Sequence, residues 1–342
     1  MQLAHILFTA VNAVVPIVLL IVLGYFLKKK GFISAEFVKI GNKLVFNVCL
    51  PCMLFINVYN IVSFAAIQWD IVLYALLATG VIVVLGLITA VLTTGVKERR
   101  GVLWQCAFRS NFAIIGLPLA GALGSSEAMG VAAVLSAFTI PLFNILAVVA
   151  LSIFLKKEGE NSHNVRDILL NIVKNPLIIG VVSGLICLVI RSLQVEVCGE
   201  VVFALNKQTP FLYTALNNLK SIASPLALIV LGGQFEFSAV KGLLKEIVVG
   251  TTWRIVLAPL IGVGGAVLLS QCTGLLNCGV NEFPALIALF GSPVAVSSAV
   301  MAGAMHNDEQ LATQLVVWTS ICSVATIFLT VCVLMAAGLL AV

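Results

Sequence analysis

The sequence predicts an all-α polytopic membrane protein whose ten transmembrane helices form two inverted five-helix repeats, with helices 4 and 9 broken and crossing. Three observations predict this fold class. The chain is apolar along nearly its whole length, its lysines and arginines fall mostly in alternate connections between the apolar runs, and three proline-containing segments recur in the same order in both halves.

Composition requires a bilayer as the solvent for this chain. Of its 342 residues, 61% are hydrophobic and 10% are charged, whereas a soluble domain has about 45–50% apolar and about 25% charged residues. Roughly 20 apolar residues cross a membrane, and runs of that length follow one another along the sequence. The first run, His5 to Leu27, has no basic segment before it and ends at Lys28-Lys29-Lys30. It is therefore expected to be the first span and not a cleaved signal.

Apolar runs between polar turns define ten predicted spans. Their boundaries are 5–27, 38–60, 69–95, 102–124, 127–156, 167–191, 210–235, 241–270, 281–305 and 308–338. An even number of spans places both termini on the same side of the membrane.

Lysine and arginine placement predicts the orientation, because cytoplasmic connections carry an excess of both. The first, third, fifth and seventh connections and their flanks hold fourteen cations: Lys28, Lys29, Lys30, Lys39, Lys43, Lys97, Arg99, Arg100, Lys156, Lys157, Arg166, Lys174, Lys241 and Lys245. The even connections and the termini hold three: Arg191, Lys207 and Lys220. We therefore expect a multi-pass plasma (inner) membrane protein with both termini outside the cytoplasm. The net charge of +5 reflects this asymmetry and does not indicate a nucleic-acid partner.

Matched prolines indicate an internal duplication. Three pairs of segments correspond: Pro16 and Gly24 with Pro176 and Gly184, Leu50-Pro51 with Ser224-Pro225, and Gly116-Leu117-Pro118 with Gly291-Ser292-Pro293. The second and third segments are 67 positions apart in the first half and 68 in the second. Five spans is an odd number, so the second copy, 157–342, would enter the membrane from the side opposite to the first, 1–156. Inverted repeats of this kind are a recurring plan of secondary transporters.

The two Gly-x-Pro segments are expected to interrupt spans four and nine near their middles. Proline removes a backbone donor, the residue before it favours extended backbone, and glycine permits unusual angles. Freed backbone groups at this depth must be satisfied within the protein or by a water-filled cavity. Each break would also expose the positive N-terminal end of a half-helix, which favours anions. The alternative interpretation is that the two Gly-x-Pro segments only kink their helices and bind no ligand.

Polar residues near these breaks give the candidate substrate-binding set. Asn111 is the best single candidate because it lies seven residues, or two helical turns, before Pro118. Arg109 and Arg254 are interpreted as the ionisable groups deep in spans, which are functional hypotheses by default, although Arg109 is near enough to the predicted cytoplasmic end to snorkel. The full set is Asn47, Pro51, Arg109, Asn111, Gly116, Pro118, Asn144, Arg254, Gly291, Ser292, Pro293 and Ser297.

These features favour a carrier for a small organic anion, in particular a carboxylate, because the span cores that hold Arg109 and Arg254 contain no Asp or Glu and a buried pair of carboxylates is absent. The histidines and cysteines have no metal-site spacing, and no nucleophile with its base lies deep in a span, so neither an enzyme nor a cofactor is expected. Two other functions stay open: a receptor or sensor built on a transporter fold, and a passive anion channel. Whether Cys198, Cys272 and Cys278 form disulfides is also open.

Four segments resemble the auxin efflux carrier family, whose bacterial members include malate and malonate permeases. They are LVFNVCLPCMLF at 44–55, RSNFAIIGLPL at 109–119, IASPLALIVLGGQ at 222–234 and GSPVAVSSAVMAG at 291–303. The resemblance extends over essentially the whole chain, and the short connection 156–167 is similar to that of the bacterial members.

The resemblance implies a ten-span inverted repeat and a homodimer. Spans 1, 2, 6 and 7 would form the scaffold and dimer interface, and spans 3–5 and 8–10 a transport domain that moves as an elevator. Substrate would bind where spans 4 and 9 cross, with Asn111, Pro118 and Pro293 at the crossing. The acidic residue of the plant carriers has no clear counterpart here, which leaves coupling to Na⁺ or H⁺ open.

Overall fold

A computed structural model describes residues 2–60, 68–124, 126–155 and 174–340 of the chain. The described part is helical and contains no strand. Its helices are α1 (Gln2–Lys29), α2 (Ala35–Tyr59), α3 (Trp69–Thr93), α4 (Lys97–Phe108), α5 (Phe112–Leu123), α6 (Ser126–Ser152), α7 (Pro176–Cys198), α8 (Leu205–Gln208), α9 (Pro210–Gln234), α10 (Ala239–Thr273), α11 (Glu282–Gly291), α12 (Ser297–Ala304) and α13 (Glu309–Ala336).

Seven stretches of the described chain are long and apolar enough to cross a membrane: Ala35–Tyr59, Trp69–Thr93, Glu127–Ser152, Pro176–Cys198, Pro210–Gln234, Ala239–Thr273 and Glu309–Ala336. Two shorter apolar helices, α5 and α11, lie between them in the sequence. The protein is therefore a multi-span helical membrane protein. The arrangement as two inverted five-helix repeats stays a prediction.

Helix boundaries agree with the predicted spans to within a few residues over most of the chain. The exception is the sixth span, predicted at 167–191, because α7 begins at Pro176 and continues to Cys198. The predicted start of that span, like the boundary at 156/157 between the two halves, lies outside the described residues. Pro176 occupies the first turn of α7, where a missing N–H costs no hydrogen bond.

Glycines bring α1, α2, α7 and α9 into close contact. A Cβ atom at Gly24 of α1 would overlap the carbonyl of Ile229 in α9, and one at Gly232 of α9 would overlap the carbonyl of Ile21. In the same way, a Cβ atom at Gly180 of α7 would lie 2.5 Å from the carbonyl oxygen of Pro51 in α2. Small residues at helix crossings are the usual device for close packing in membranes.

Polar contacts connect α3, α4, α10 and α13 into a second group. The Trp104 indole of α4 donates to the Val83 carbonyl of α3 at 2.8 Å, and the Tyr74 hydroxyl of α3 donates to the Gly262 carbonyl of α10 at 2.6 Å. Arg99 forms ion pairs with Glu246 at 3.0 Å and Asp308 at 2.9 Å. Asp308 directly precedes α13 and caps its first turn.

The three cysteines near connections do not pair. Cys198 and Cys272 are exposed and Cys278 is buried, and all three are free thiols. Burial is the main reason that the pKa of Cys278 is raised to about 12, and the negative charges of Glu282 and Asp70 contribute less. Its thiol is therefore protonated at neutral pH and is a poor partner for disulfide exchange.

Candidate functional site

Two interruptions of the helices meet at the centre of the molecule. One separates α4 from α5 at 109–111, and the other separates α11 from α12 at 292–296. The two segments pair as antiparallel extended backbone, with Ser110 opposite Val294. The Asn111 N–H donates to the Pro293 carbonyl at 2.8 Å, and the Ala295 N–H donates to the Arg109 carbonyl at 3.1 Å. Each break thus satisfies backbone groups that the other leaves free, as an apolar surrounding requires.

The break in the ninth predicted span is where the sequence places it. Gly291 ends α11, and Ser292 is extended, with φ −63° and ψ 146°. Pro293 follows within the paired segment. The expectation for Gly291-Ser292-Pro293 is therefore confirmed.

The predicted break at Gly116-Leu117-Pro118 is wrong. Gly116 and Leu117 are helical, with φ and ψ near −60° and −50°, and the backbone leaves the helix earlier, at Arg109–Asn111. Residues Phe112–Gly116 form a π-helical turn directly before Pro118. The wider turn accommodates a proline, which has no N–H to donate and clashes with the carbonyl four residues earlier. Gly116 serves packing instead, since a Cβ atom there would overlap the Phe112 ring and approach the Ala288 carbonyl of α11 at 2.9 Å.

A small cavity of about 50 Å³ lies against the paired breaks. Four predicted site residues line it: Arg109, Asn111, Asn144 and Ser297. Three polar residues that the prediction missed line it as well: Asn57, Ser110 and Ser224. The sequence does carry a signal for Ser110, which lies between Arg109 and Asn111, and a weaker one for Ser224, whose only distinction is its repeat position before Pro225. No signal in the sequence points to Asn57.

Arg109 is the charged residue of this cavity. It is 2% exposed, so the alternative that it snorkels to the membrane surface is wrong. Its guanidinium donates to the Asn144 side-chain oxygen at 2.7 Å and to the Ser297 hydroxyl at 2.9 Å. Asn144 is oriented in turn by donating to the Ile140 carbonyl at 2.7 Å. Within the described part of the chain, no carboxylate bonds to Arg109, so its positive charge is held in place by neutral groups.

Unpaired polar atoms surround the same space. The Ser110 hydroxyl and the Asn111 side-chain nitrogen are buried and have no hydrogen-bond partner among the described residues. Ala113 and Ile114 in the first turn of α5, and Ser297 at the start of α12, also line the cavity. The positive ends of two helices therefore face it. Buried polar groups in proteins are nearly always bonded, which makes these atoms candidates for contact with a ligand.

Arg254 lies elsewhere, although it belongs to the predicted set. Its side chain, 1% exposed, donates to the Ala107 carbonyl at 3.2 Å and to the carbonyls of Leu289 and Phe290. Those carbonyls belong to the last turns of α4 and α11, where four acceptors lack intrahelical partners. Arg254 therefore caps the C-terminal ends of both helices and does not line the cavity.

The remaining predicted site residues also lie outside the cavity lining. Asn47 is exposed and donates to the Lys43 carbonyl at 2.8 Å. Ser292 is fully buried and donates to the Ala288 carbonyl at 2.6 Å. The others that do not line it are Pro51, Gly116, Pro118, Gly291 and Pro293. In the described residues, no group of His, Cys, Asp or Glu is arranged to hold a metal ion.

A multi-span helical protein whose polar cavity lies between two broken, paired helices has the architecture of a membrane transporter. Comparison with family models agrees: residues 9–331 match the family described as membrane transport protein. The chain belongs to this family, which includes auxin efflux carrier-like proteins. It is a transporter and not an enzyme. No curated protein matches the chain.

Proposed function

We propose that the protein is a secondary transporter for a small organic anion, in particular a carboxylate, and that it works by elevator-type alternating access. The observation that carries this proposal is Arg109, a buried cation that faces the central cavity and whose hydrogen-bond partners among the described residues are all neutral. Removing an unpaired charge from water is costly unless another charge or hydrogen bonds compensate. A bound carboxylate would supply that compensation.

The other groups at the cavity favour the same charge. The unpaired Asn111 nitrogen is a donor, and the Ser110 hydroxyl can donate. The N-terminal ends of α5 and α12 add positive potential, while Arg254 covers the negative C-terminal ends of α4 and α11. Among the described residues that line this cavity or the larger one beside it, none is Asp or Glu. A cationic substrate would find no acidic partner there.

Packing supports an elevator motion of two units. The cavity lies between α2 and α9, which provide Asn57 and Ser224, and the paired breaks with α6, which provide Arg109 and Asn144. Farther along, Glu309 at the start of α13 accepts hydrogen bonds from Asn42 of α2 at 3.0 Å and Gln234 of α9 at 2.5 Å. These contacts are side-chain hydrogen bonds, which can break and re-form as one unit slides. The inverted repeat, the scaffold of spans 1, 2, 6 and 7, a homodimer and the plasma-membrane location with both termini outside belong to the same proposal.

Counterflow in proteoliposomes tests this function. Purified protein is reconstituted with an unlabelled carboxylate inside, and uptake of labelled dicarboxylates, monocarboxylates and indole acids is followed with and without Na⁺ and at two pH values. A carrier gives saturable uptake that internal substrate accelerates, and Arg109→Gln should abolish it. Uptake without counterflow would indicate a channel, and binding without any flux would indicate a receptor. No anion uptake by a protein that keeps its helical content and melting temperature would overturn the proposal.

A further inference from the structure

A larger cavity continues from the small one towards one end of the molecule. It has a volume of about 650 Å³ and shares Asn57, Ile114 and Ser224 with the lining of the small cavity. Three asparagines line it, namely Asn57, Asn60 and Asn217, together with Ser136, Ser221 and Ser224. Its one charged lining residue among those described is Lys220. The larger cavity is thus a polar, cationic approach to Arg109.

Lys220 lies well inside a membrane-spanning helix. It is ten residues beyond Pro210, the first residue of α9, which corresponds to about 15 Å at 1.5 Å per residue. Its side chain is half-buried. The grouping of Lys220 with the cations that flank connections is therefore wrong. Ionisable groups within spans are rare, and they mark substrate pathways when they face a water-filled space.

Among the described residues that line the larger cavity, Lys220 is surrounded by hydrogen-bond donors and by no acidic residue. Within the described residues, no hydrogen bond or ion pair engages its ammonium group. Asn217 and Ser224 lie three residues before and four residues after it, so they share its side of α9. Both line the same cavity, and so does Ser221. An ammonium group together with amide and hydroxyl groups is the donor set that recognises a carboxylate.

We propose that Lys220, with Asn217 and Asn57, forms an outer subsite that captures the organic anion before it reaches Arg109. The proposal rests on the proposed function and deepens it. A cation in the wall of a cleft raises the local concentration of anions and speeds their entry. Lys220 therefore acts in binding, whereas the translocation step depends on the paired breaks.

Two matched lysine variants test this subsite. Lys220→Gln and Lys207→Gln each remove one positive charge, but Lys207 is exposed on α8 and lines neither cavity. Initial uptake rates of a transported carboxylate give KM and kcat for each variant at three ionic strengths. We expect Lys220→Gln to raise KM about tenfold with kcat nearly unchanged and with a weaker salt dependence than the wild type. Lys207→Gln should match the wild type, and Lys220→Arg should keep most of the affinity.

Each outcome decides the proposal. Equal KM values for Lys220→Gln and Lys207→Gln, or a loss confined to kcat, overturn the outer subsite while leaving anion transport by the wild type intact. Absence of anion transport by the wild type overturns the proposed function itself. If Lys220→Gln does not fold, Asn217→Leu takes its place, because Asn217 is exposed and lines the same wall. It should raise KM severalfold, and an unchanged KM counts against the subsite.

Discussion

The guanidinium of Arg254 donates to the carbonyl of Ala107 at 3.2 Å, and through its other terminal nitrogen it reaches the carbonyls at the end of α11. One side chain therefore holds together the C-terminal ends of the two helices that precede the paired breaks. This places Arg254 as a structural support of the candidate site, behind the groups that face the cavity.

Replacing Arg254 should destabilise the protein more than replacing other arginines that bond to carbonyls. Arg254→Met leaves three buried carbonyls without this donor, and each unsatisfied group costs about 1–3 kcal/mol. We expect a loss of about 3 kcal/mol or more, seen as a lower melting temperature in detergent. Arg191→Met is the matched control, because Arg191 is half-buried and donates to the single carbonyl of Tyr59. Equal melting temperatures for the two variants would contradict the capping role.

A carboxylate placed beside Arg109 should compete with the substrate. Asn144→Asp keeps the shape of the side chain that accepts from Arg109 at 2.7 Å and adds a negative charge. The new ion pair with Arg109 offsets the lost donation to the Ile140 carbonyl, so the fold should be retained. Anion affinity should fall roughly 10–100-fold, the range expected for losing a hydrogen bond to a charged group. Titration with a transported carboxylate, followed by thermal shift, measures this change.

Asn175→Asp provides the control for charge alone. Asn175 caps the first turn of α7 and lines neither central cavity, and Asp is an equally good residue at such a position. This variant should keep the affinity of the wild type. If both variants lose affinity equally, Arg109 is not the specific anion contact.

Much of the fold could be predicted from sequence because apolar runs of membrane length occur mainly as membrane-spanning helices. The break in span nine could also be predicted from the local sequence, because Ser292 directly precedes a proline. The break in span four was not, because the π-helical turn Phe112–Gly116 absorbs Pro118 and the chain instead unwinds at Arg109–Asn111, which contains neither Gly nor Pro. Its position depends on pairing with 292–296, and such pairing is a property of the folded chain.

The roles of the two buried arginines were also beyond local sequence. Both lie in apolar runs, and both are almost fully buried. Only packing separates them: Arg109 reaches side chains across the cavity, whereas Arg254 reaches backbone carbonyls behind it. Sequence could therefore nominate both residues but could not assign one to the ligand and the other to the framework.

The unpaired hydroxyl of Ser110 should matter for ligand binding and not for stability. Because it has no partner in the described structure, Ser110→Ala removes a buried unsatisfied group and should leave the melting temperature unchanged or raise it slightly. Affinity for the transported anion should fall severalfold. Ser292→Ala is the comparison, since that hydroxyl bonds the Ala288 carbonyl and lies outside the cavity lining. It should leave affinity unchanged, and the opposite ranking of the two variants would exclude Ser110 as a ligand contact.

A cross-link between α9 and α13 should stop transport if these helices belong to units that slide past each other. Gln234 and Glu309 are in hydrogen-bond contact at 2.5 Å, so cysteines at both positions can be joined by a short bis-maleimide, in a background that lacks the exposed thiols of Cys198 and Cys272. Uptake should fall to the level of empty liposomes after cross-linking, while either single-cysteine variant treated with the same reagent stays active.

A second cysteine pair distinguishes sliding from general rigidification. Arg99 and Glu246 form an ion pair at 3.0 Å between α4 and α10, which both belong to the proposed moving unit. Joining these positions should leave uptake close to that of the uncross-linked double variant, because their separation does not change during an elevator motion. If this link also blocks uptake, the motion takes place within the unit. If the Gln234–Glu309 link leaves uptake intact, these two helices do not separate during transport and the elevator is wrong.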